Sequence, residues 1–340
     1  MTSALWTGTG FALAAGLMWG LVFVGPLLLP DYPASVHTVG RYLAFGLIAL
    51  PLGWLDRARL RELDRADWIE ALKLAAIGNL LYYLLLSSAI QRAGGPLPTV
   101  IIGTLPVVIA ITARLRGPRA GMRTEARIPW RRMLPSLALI AFGIALVNQA
   151  ELAHVRQEPG SDLLRYAIGA LLAVGAVACW TWYPLRNAEW LRTHTDRSPR
   201  AWATAQGIAT LPLALAGYLA VWGWSATTGQ VPGALAQGAA FDMPLGPRPL
   251  QFLGLMFSLG LLASWAATLC WNEASQRLPP TLAGQLIVFE TMAALGYALL
   301  LRGQAPAPAT LAGVALLVAG VVWALRPAPA VTLPDPPAAH

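Results

Sequence analysis

The stretch GQLIVFETMAALGYALLL, Gly284 to Leu301, is a nearly unbroken apolar run interrupted near its middle by one carboxylate, Glu290. As a helix it is long enough to cross a hydrocarbon layer roughly 30 Å thick, where an ionised Glu costs a few kcal/mol. Either a partner offsets that cost or the proton stays on. The fold class turns on whether the rest of the chain belongs in the same solvent.

It does. Of 340 residues, 56% are hydrophobic and 12% charged, and the mean hydropathy is +0.57. A water-soluble globule needs far more polar surface. Apolar stretches bounded by charges, Pro or Gly recur at 11–29, 36–55, 69–90, 97–115, 133–149, 164–185, 201–222, 250–271, 282–301 and 311–325. Backbone amides in lipid must pair within their own segment, so the pattern predicts an all-α integral membrane protein of ten transmembrane helices. Pro26, Pro106 and Pro184 inside these spans predict kinks. The first span has no basic leader and runs on at bilayer width, so it is expected to be retained rather than cleaved as a signal peptide. Cys179 and Cys270 fall within spans and are expected to pack rather than to form a disulfide.

The net charge is +8, and its distribution is topological. With the N-terminus in the cytoplasm, 18 Lys and Arg fall inside and 6 outside, the latter being Arg41, Arg92, Arg156, Arg165, Arg248 and Arg302. The positive-inside rule then predicts that both termini are cytoplasmic. No basic stripe interleaved with aromatics points to nucleic acid. Lys73 is the only lysine and no Gly-Lys-Ser/Thr occurs, which excludes a P-loop and ATP drive. His37, His154, His194 and His340 have no metal-ligand spacing, and no G-x-S-x-G marks a hydrolase. No enzyme activity, cofactor or metal is expected.

Internal repeats carry the most information. AIQRAGGP (89–96) and ASQRLPPT (274–281) follow the third and eighth spans, RLRG (114–117) and LLRG (300–303) end the fourth and ninth, and AAGLMWG (14–20) parallels GAVACWT (175–181). The matches occur in the same order. They predict two five-helix halves, residues 1–150 and 163–327, joined by a periplasmic linker at 151–162 and followed by a disordered cytoplasmic tail at 328–340. Five being odd, the second half enters from the opposite side; inverted repeats of this kind surround a central midplane site and work by alternating access.

The sequence resembles the drug/metabolite transporter superfamily in its EamA-repeat branch. The resemblance rests on Trp19 and Trp180, on Arg41 opening GRYLAFGLIALPL, and on GTLPVVIAI (103–111). VFETMAALGYALLLRG (288–303) and the Gly-containing AFGIALV and LVAGVVWAL add to it. Many relatives have Glu-Pro where this chain has Glu290-Thr291. The resemblance implies a secondary transporter of the bacterial inner membrane, an exporter of amino acids, aromatic ones included, or of related compounds. Membrane lipids and a small-molecule substrate are the expected partners, with protons as coupling ion. A carrier of another metabolite or drug-like amphiphile, a lipid-handling enzyme and a channel are the alternatives.

Within the expected bundle, Trp19, Arg41, Asn79, Tyr82, Tyr83, Ser87, Gly103, Trp180, Trp182, Tyr183, Trp265, Gln285 and Glu290 are the candidate pathway residues. A mostly apolar pocket with sparse polar groups orients a small amphipathic solute. The same residue types also serve interfacial belts and helix packing. Arg41 lies about 8 Å below the outer end of its span and Glu290 about 16 Å below the outer end of its own, at 1.5 Å per residue. Arg41 can snorkel to the interface, pair with an acid, or grip a substrate carboxylate. Glu290 can carry a proton, grip an ammonium, or staple helices together.

Overall fold

The computed structural model of the protein describes residues 2–93, 98, 101–116, 130–155, 163–232, 241–303 and 307–325. All regular structure among them is helical. The principal rods are α1 (Ala4–Leu28), α2 (Ala34–Leu55), α3 (Arg65–Ala93), α4 (Leu105–Arg116) and α5 (Trp130–Val155). They continue as α6 (Leu163–Thr193), α7 (Pro199–Thr228), α8 (Pro249–Arg277), α9 (Val288–Arg302, after a short helix Pro280–Leu286) and α10 (Pro308–Leu325). By length and composition α1, α2, α3, α6, α7 and α8 can each cross a membrane, and Met133–Leu146, Leu282–Tyr297 and Pro308–Trp323 are shorter apolar helices.

Helix ends follow local chemistry. Asp64 and Asp67 form a reciprocal capping box at the start of α3. Ser198 caps α7 ahead of Pro199, and Gly229, at φ 68°, ends it in the left-handed conformation that glycine tolerates.

Contacts pair the rods across the chain: α2 with α7, α3 with α6, α1 with α8 and α9, α5 with α10, and Pro280–Leu286 with α4. Small residues set the closest approach of α2 and α7. A Cβ on Gly46 would stand 2.6 Å from the Leu211 Cβ, and one on Gly207 would stand 2.6 Å from the Ala49 Cβ. In lipid, where no hydrophobic force separates helix from solvent, such backbone proximity is what associates helices. The interval from Gly46 to Gly207 also separates Trp19 from Trp180 and the intrahelical Pro51 from Pro212.

Irregular backbone recurs in the same way. α3 carries a π-helical stretch, Leu74–Leu81, and α8 carries another, Gly260–Ala266. The chain turns at residues 103–104 before α4 and breaks at Ile287 before α9. The three prolines stand apart from these irregular positions in different ways. Pro184 lies within the continuous α6, Pro106 sits in the first turn of α4, and Pro26 follows a 3-10 turn at Leu21–Phe23. The π stretches contain no proline, because an extra residue in the ladder frees carbonyls as effectively as a missing N–H. α5 runs from Trp130 to Val155. Residues 156–162, the arginines at 119, 123 and 127, and the tail 328–340 lie outside the described residues.

At the α1–α2 turn the chain is held by a distant segment. The Tyr32 hydroxyl donates to the Leu245 carbonyl (2.9 Å) and accepts from the Arg248 amide (2.8 Å), while its ring stacks on Phe252 at 4.8 Å. Asp31 and Arg248 form an ion pair beside it. Gln91 of α3 donates to the Tyr32 carbonyl (2.8 Å) and accepts from the Ala34 amide (3.0 Å).

Candidate functional site

Where α1, α2, α3, α6, α8 and α9 converge, they enclose a narrow cavity with room for about one water molecule. Trp19, Arg41, Asn79, Tyr82, Trp180 and Glu290 line it, all of them expected from the sequence, together with Val22, Tyr42, Ala263, Ser264 and Thr268.

Arg41 turns inward instead of snorkelling and is 4% exposed. Its Nε donates to Ser264 Oγ and its Nη2 to the Ala263 carbonyl, both at 3.1 Å. That carbonyl lies in the π stretch of α8, where the irregular ladder makes backbone acceptors accessible to a side chain. The guanidinium carbon sits 4.9 Å from the Tyr42 ring centroid and 4.6 Å from that of Tyr83, so two aromatic faces stabilise the buried cation. Nη1 has no hydrogen-bond partner.

Glu290 lies in the first turn of α9, just past the break at Ile287, and is 2% exposed. Tyr82, Trp180 and Arg41 are the polar groups that face it. Trp180 and Tyr82 direct their polar groups at its carboxylate, although Oε2, the Tyr82 hydroxyl and Trp180 Nε1 do not close to full hydrogen-bond geometry. Among the described residues no ion pair within 4.0 Å joins Arg41 to Glu290.

The aromatic wall is continuous. Trp180 meets Trp19 edge-on at 4.9 Å, stacks on Tyr82 at 4.6 Å and on Tyr183 at 5.0 Å, and Trp271 adds a further ring 5.2 Å from Trp19. Asn79, in the π stretch of α3, donates to Thr210 Oγ1 at 3.4 Å.

The other expected residues lie outside the cavity lining. Tyr83 supports Arg41 and reaches the Val22 carbonyl at 3.4 Å, and Ser87 is buried about one turn further along α3. Tyr183 donates to Gln206 Oε1 at 2.8 Å, and Trp265 donates to Thr204 Oγ1 at 3.2 Å. Gln285 is buried in the short helix before the Ile287 break, Gly103 marks the turn before α4, and Trp182 is half-buried on α6.

Sequence reasoning missed a buried amide cluster between the cavity and the Asp67 end of α3. Asn187 accepts from Trp202 Nε1 (2.8 Å) and Gln206 Nε2 (3.1 Å) and donates to Asn272 Oδ1 (2.8 Å); Asn272 in turn donates to the Pro199 carbonyl (3.1 Å). Beyond it, Trp190 Nε1 donates to Asp67 Oδ1 at 2.9 Å, and Arg186 grips both oxygens of Glu70 through Nε and Nη2. The signal was a polar residue in an apolar run, which says nothing of which helices will meet.

Residues 6–119 match the EamA-like transporter family. Over 323 residues the chain is 51% identical to the inner membrane protein YtfF of Escherichia coli (strain K12), a match covering 95% of this chain and 96% of that one. A solved crystal structure, described only as that of a protein, superposes with a TM-score of 0.65 at 16% identity, covering 93% of this chain and 96% of that one. At that identity the likeness bears on fold alone.

Proposed function

Since the chain belongs to the EamA-like transporter family, we propose that it is a secondary transporter of a small organic metabolite in the bacterial inner membrane, working by alternating access. The observation that carries this reading is the narrow central cavity where six helices converge, lined by the buried polar side chains of Arg41, Asn79, Tyr82, Ser264, Thr268 and Glu290. A cavity that admits about one water cannot hold a metabolite in this conformation. On this reading the conformation is a closed stage of the cycle, and the Tyr32–Arg248 contacts and the amide cluster are the proposed closures at its two ends.

Ten spans arranged as two inverted halves, 1–150 and 163–327, are the architecture we favour. The equal intervals between Trp19 and Trp180, Gly46 and Gly207, and Pro51 and Pro212 support it, as do the π stretches in the third helix of each half. Amino acids, aromatic ones included, are the favoured substrates and export the favoured direction. The family resemblance and the aromatic wall around Trp180 support this reading. Both termini are placed in the cytoplasm by charge asymmetry. A reporter fused after His340 should be active only as a cytoplasmic fusion, and one inserted between Gly223 and Pro249 only as a periplasmic one. The reverse pattern at either site would overturn the orientation.

Glu290 is the proposed coupling group, because it is the carboxylate that lines the cavity. In proteoliposomes, Glu290→Gln should abolish the response of net transport to an imposed pH gradient, since Gln keeps the shape and cannot exchange a proton. Solute counterflow, which needs no gradient, separates a carrier from a channel: only a carrier exchanges labelled for unlabelled solute. Wild-type response to the gradient in the Gln variant would remove Glu290 from coupling.

A further inference from the structure

We infer that the turn joining α2 to α3 binds the phosphate of an anionic membrane lipid between Arg57 and Arg61, with the lipid's chains against Trp54 and Leu55. The site lies at the end of the bundle opposite the Tyr32 contacts and is independent of the central cavity.

Charge in this turn is unevenly spent. Residues 56–65 hold three carboxylates, Asp56, Glu62 and Asp64, and four arginines, Arg57, Arg59, Arg61 and Arg65. Each carboxylate is engaged elsewhere: Asp56 accepts from Arg200 (2.9 Å), Glu62 pairs with Arg197 (3.5 Å), and Asp64 caps α3 by accepting from the Asp67 amide (2.9 Å). Among the described residues, no carboxylate lies within 4.0 Å of any of the four arginines, and all four are exposed.

Two of them are held in register. Arg57–Leu60 is helical, and the Arg61 amide continues the turn by donating to the Arg57 carbonyl at 3.2 Å. Arg57 and Arg61 therefore share one face a turn apart, with Arg59 on the other side. The turn is fixed to the bundle beneath: Leu60 Cδ1 lies 3.3 Å from where a Cβ on Gly53 would stand, and Leu63 is buried. Like charges at that helical spacing repel, so an anion seated between them is favoured. A phosphate suits the place, because its oxygens accept charge-assisted bonds from the planar forks of both guanidinium groups.

The apolar half of the site makes the anion a lipid. Trp54 and Leu55, the last two residues of α2, are 66% and 61% exposed. The Arg57 guanidinium carbon sits 4.9 Å from the Trp54 ring centroid, and Arg57 Nη1 donates to the Trp54 carbonyl at 3.1 Å. A cation is thus pinned beside an exposed indole, the side chain that settles at headgroup level in membranes. A soluble anion would satisfy the arginines and leave Trp54 and Leu55 bare, whereas a lipid meets both. Basic residues just beyond a span attract anionic headgroups in this way. The bound lipid ties this corner to the membrane surface and, through Asp56 and Arg200, the start of α7 with it.

The test uses full-length protein in neutral detergent with phosphatidylglycerol, phosphatidylcholine and inorganic phosphate as probes. Native mass spectrometry should show the first phosphatidylglycerol bound roughly thirtyfold more tightly than the first phosphatidylcholine, about fivefold for each of two arginines. Arg57→Gln with Arg61→Gln should cut phosphatidylglycerol affinity by at least about tenfold and leave phosphatidylcholine unchanged. Arg59→Gln with Arg65→Gln removes the same charge from the same segment and should cost less than about threefold. Equal losses from the two pairs would reveal a diffuse charge effect and overturn the site. Equal affinity of the wild-type protein for the two lipids would overturn it with no substitution needed. If inorganic phosphate raises the thermal midpoint as much as phosphatidylglycerol does, the arginines serve a soluble anion and the lipid assignment falls.

Discussion

Asn187→Leu is expected to cost the protein at least about 3 kcal/mol, because one side chain satisfies three buried groups and each orphan costs roughly 1–3 kcal/mol. Trp202 Nε1 and Gln206 Nε2 would lose their acceptor and Asn272 Oδ1 its donor, all inside a bundle where Asn187, Gln206 and Asn272 are fully buried. Leu has as many side-chain heavy atoms as Asn and leaves no void, so the loss reports the stranded polar groups together with some overpacking. Asn272→Ala is the comparison: it strands the Asn187 amide, while the Pro199 carbonyl keeps its place in the helical ladder and the two bonds into Asn187 Oδ1 stay intact. Thermal unfolding in detergent should rank wild type above Asn272→Ala and Asn272→Ala above Asn187→Leu. An unfolding midpoint for Asn187→Leu at the wild-type value would show that the cluster does not hold that end of the bundle.

Arg41→Ala is expected to be the second large loss, on the order of 3–5 kcal/mol, the range measured when one partner of a buried charge arrangement is removed. It deletes the bonds to Ser264 and Ala263, strips two aromatic faces of their cation, and leaves Glu290 without a nearby positive charge. Arg41→Lys keeps the charge but cannot reach Ser264 and Ala263 with a planar fork, so it should fall between Ala and wild type. The same ranking should hold for folded yield from membranes. An Ala variant as stable as the Lys variant would mean that the guanidinium geometry and the charge contribute nothing to folding.

Much of the architecture was legible because lipid restricts the backbone so strongly. A run such as 201–222 has one way to satisfy its amides, and α7 follows. Prolines do not mark the irregular backbone: the π-helical stretches in α3 and α8 contain none and carry no residue signature. That illegibility propagated to the site. Arg41 was read with snorkelling as an open choice, since nothing in GRYLAFG tells of a carbonyl waiting in a π stretch 222 residues further along. Glu290, Trp19 and Trp180 were legible as members of the site because their types are costly or conspicuous in an apolar run. Asn187, Gln206 and Asn272 were not, because each lies on a different helix and only tertiary packing makes them one group.

The Tyr32 contacts also set a timetable for biosynthesis. Asp31 and Arg248 are separated by 217 positions, so the α1–α2 turn meets its partner only after α7 has left the ribosome. At roughly 5–20 residues per second, translation leaves an interval on the order of ten to forty seconds between the emergence of the two segments. Throughout it, Tyr32 lacks its stacking partner Phe252 and its hydroxyl lacks both Leu245 and Arg248. The nascent protein therefore inserts its early helices with the α1–α2 turn unpartnered, and completes those contacts as one of the later acts of its own synthesis.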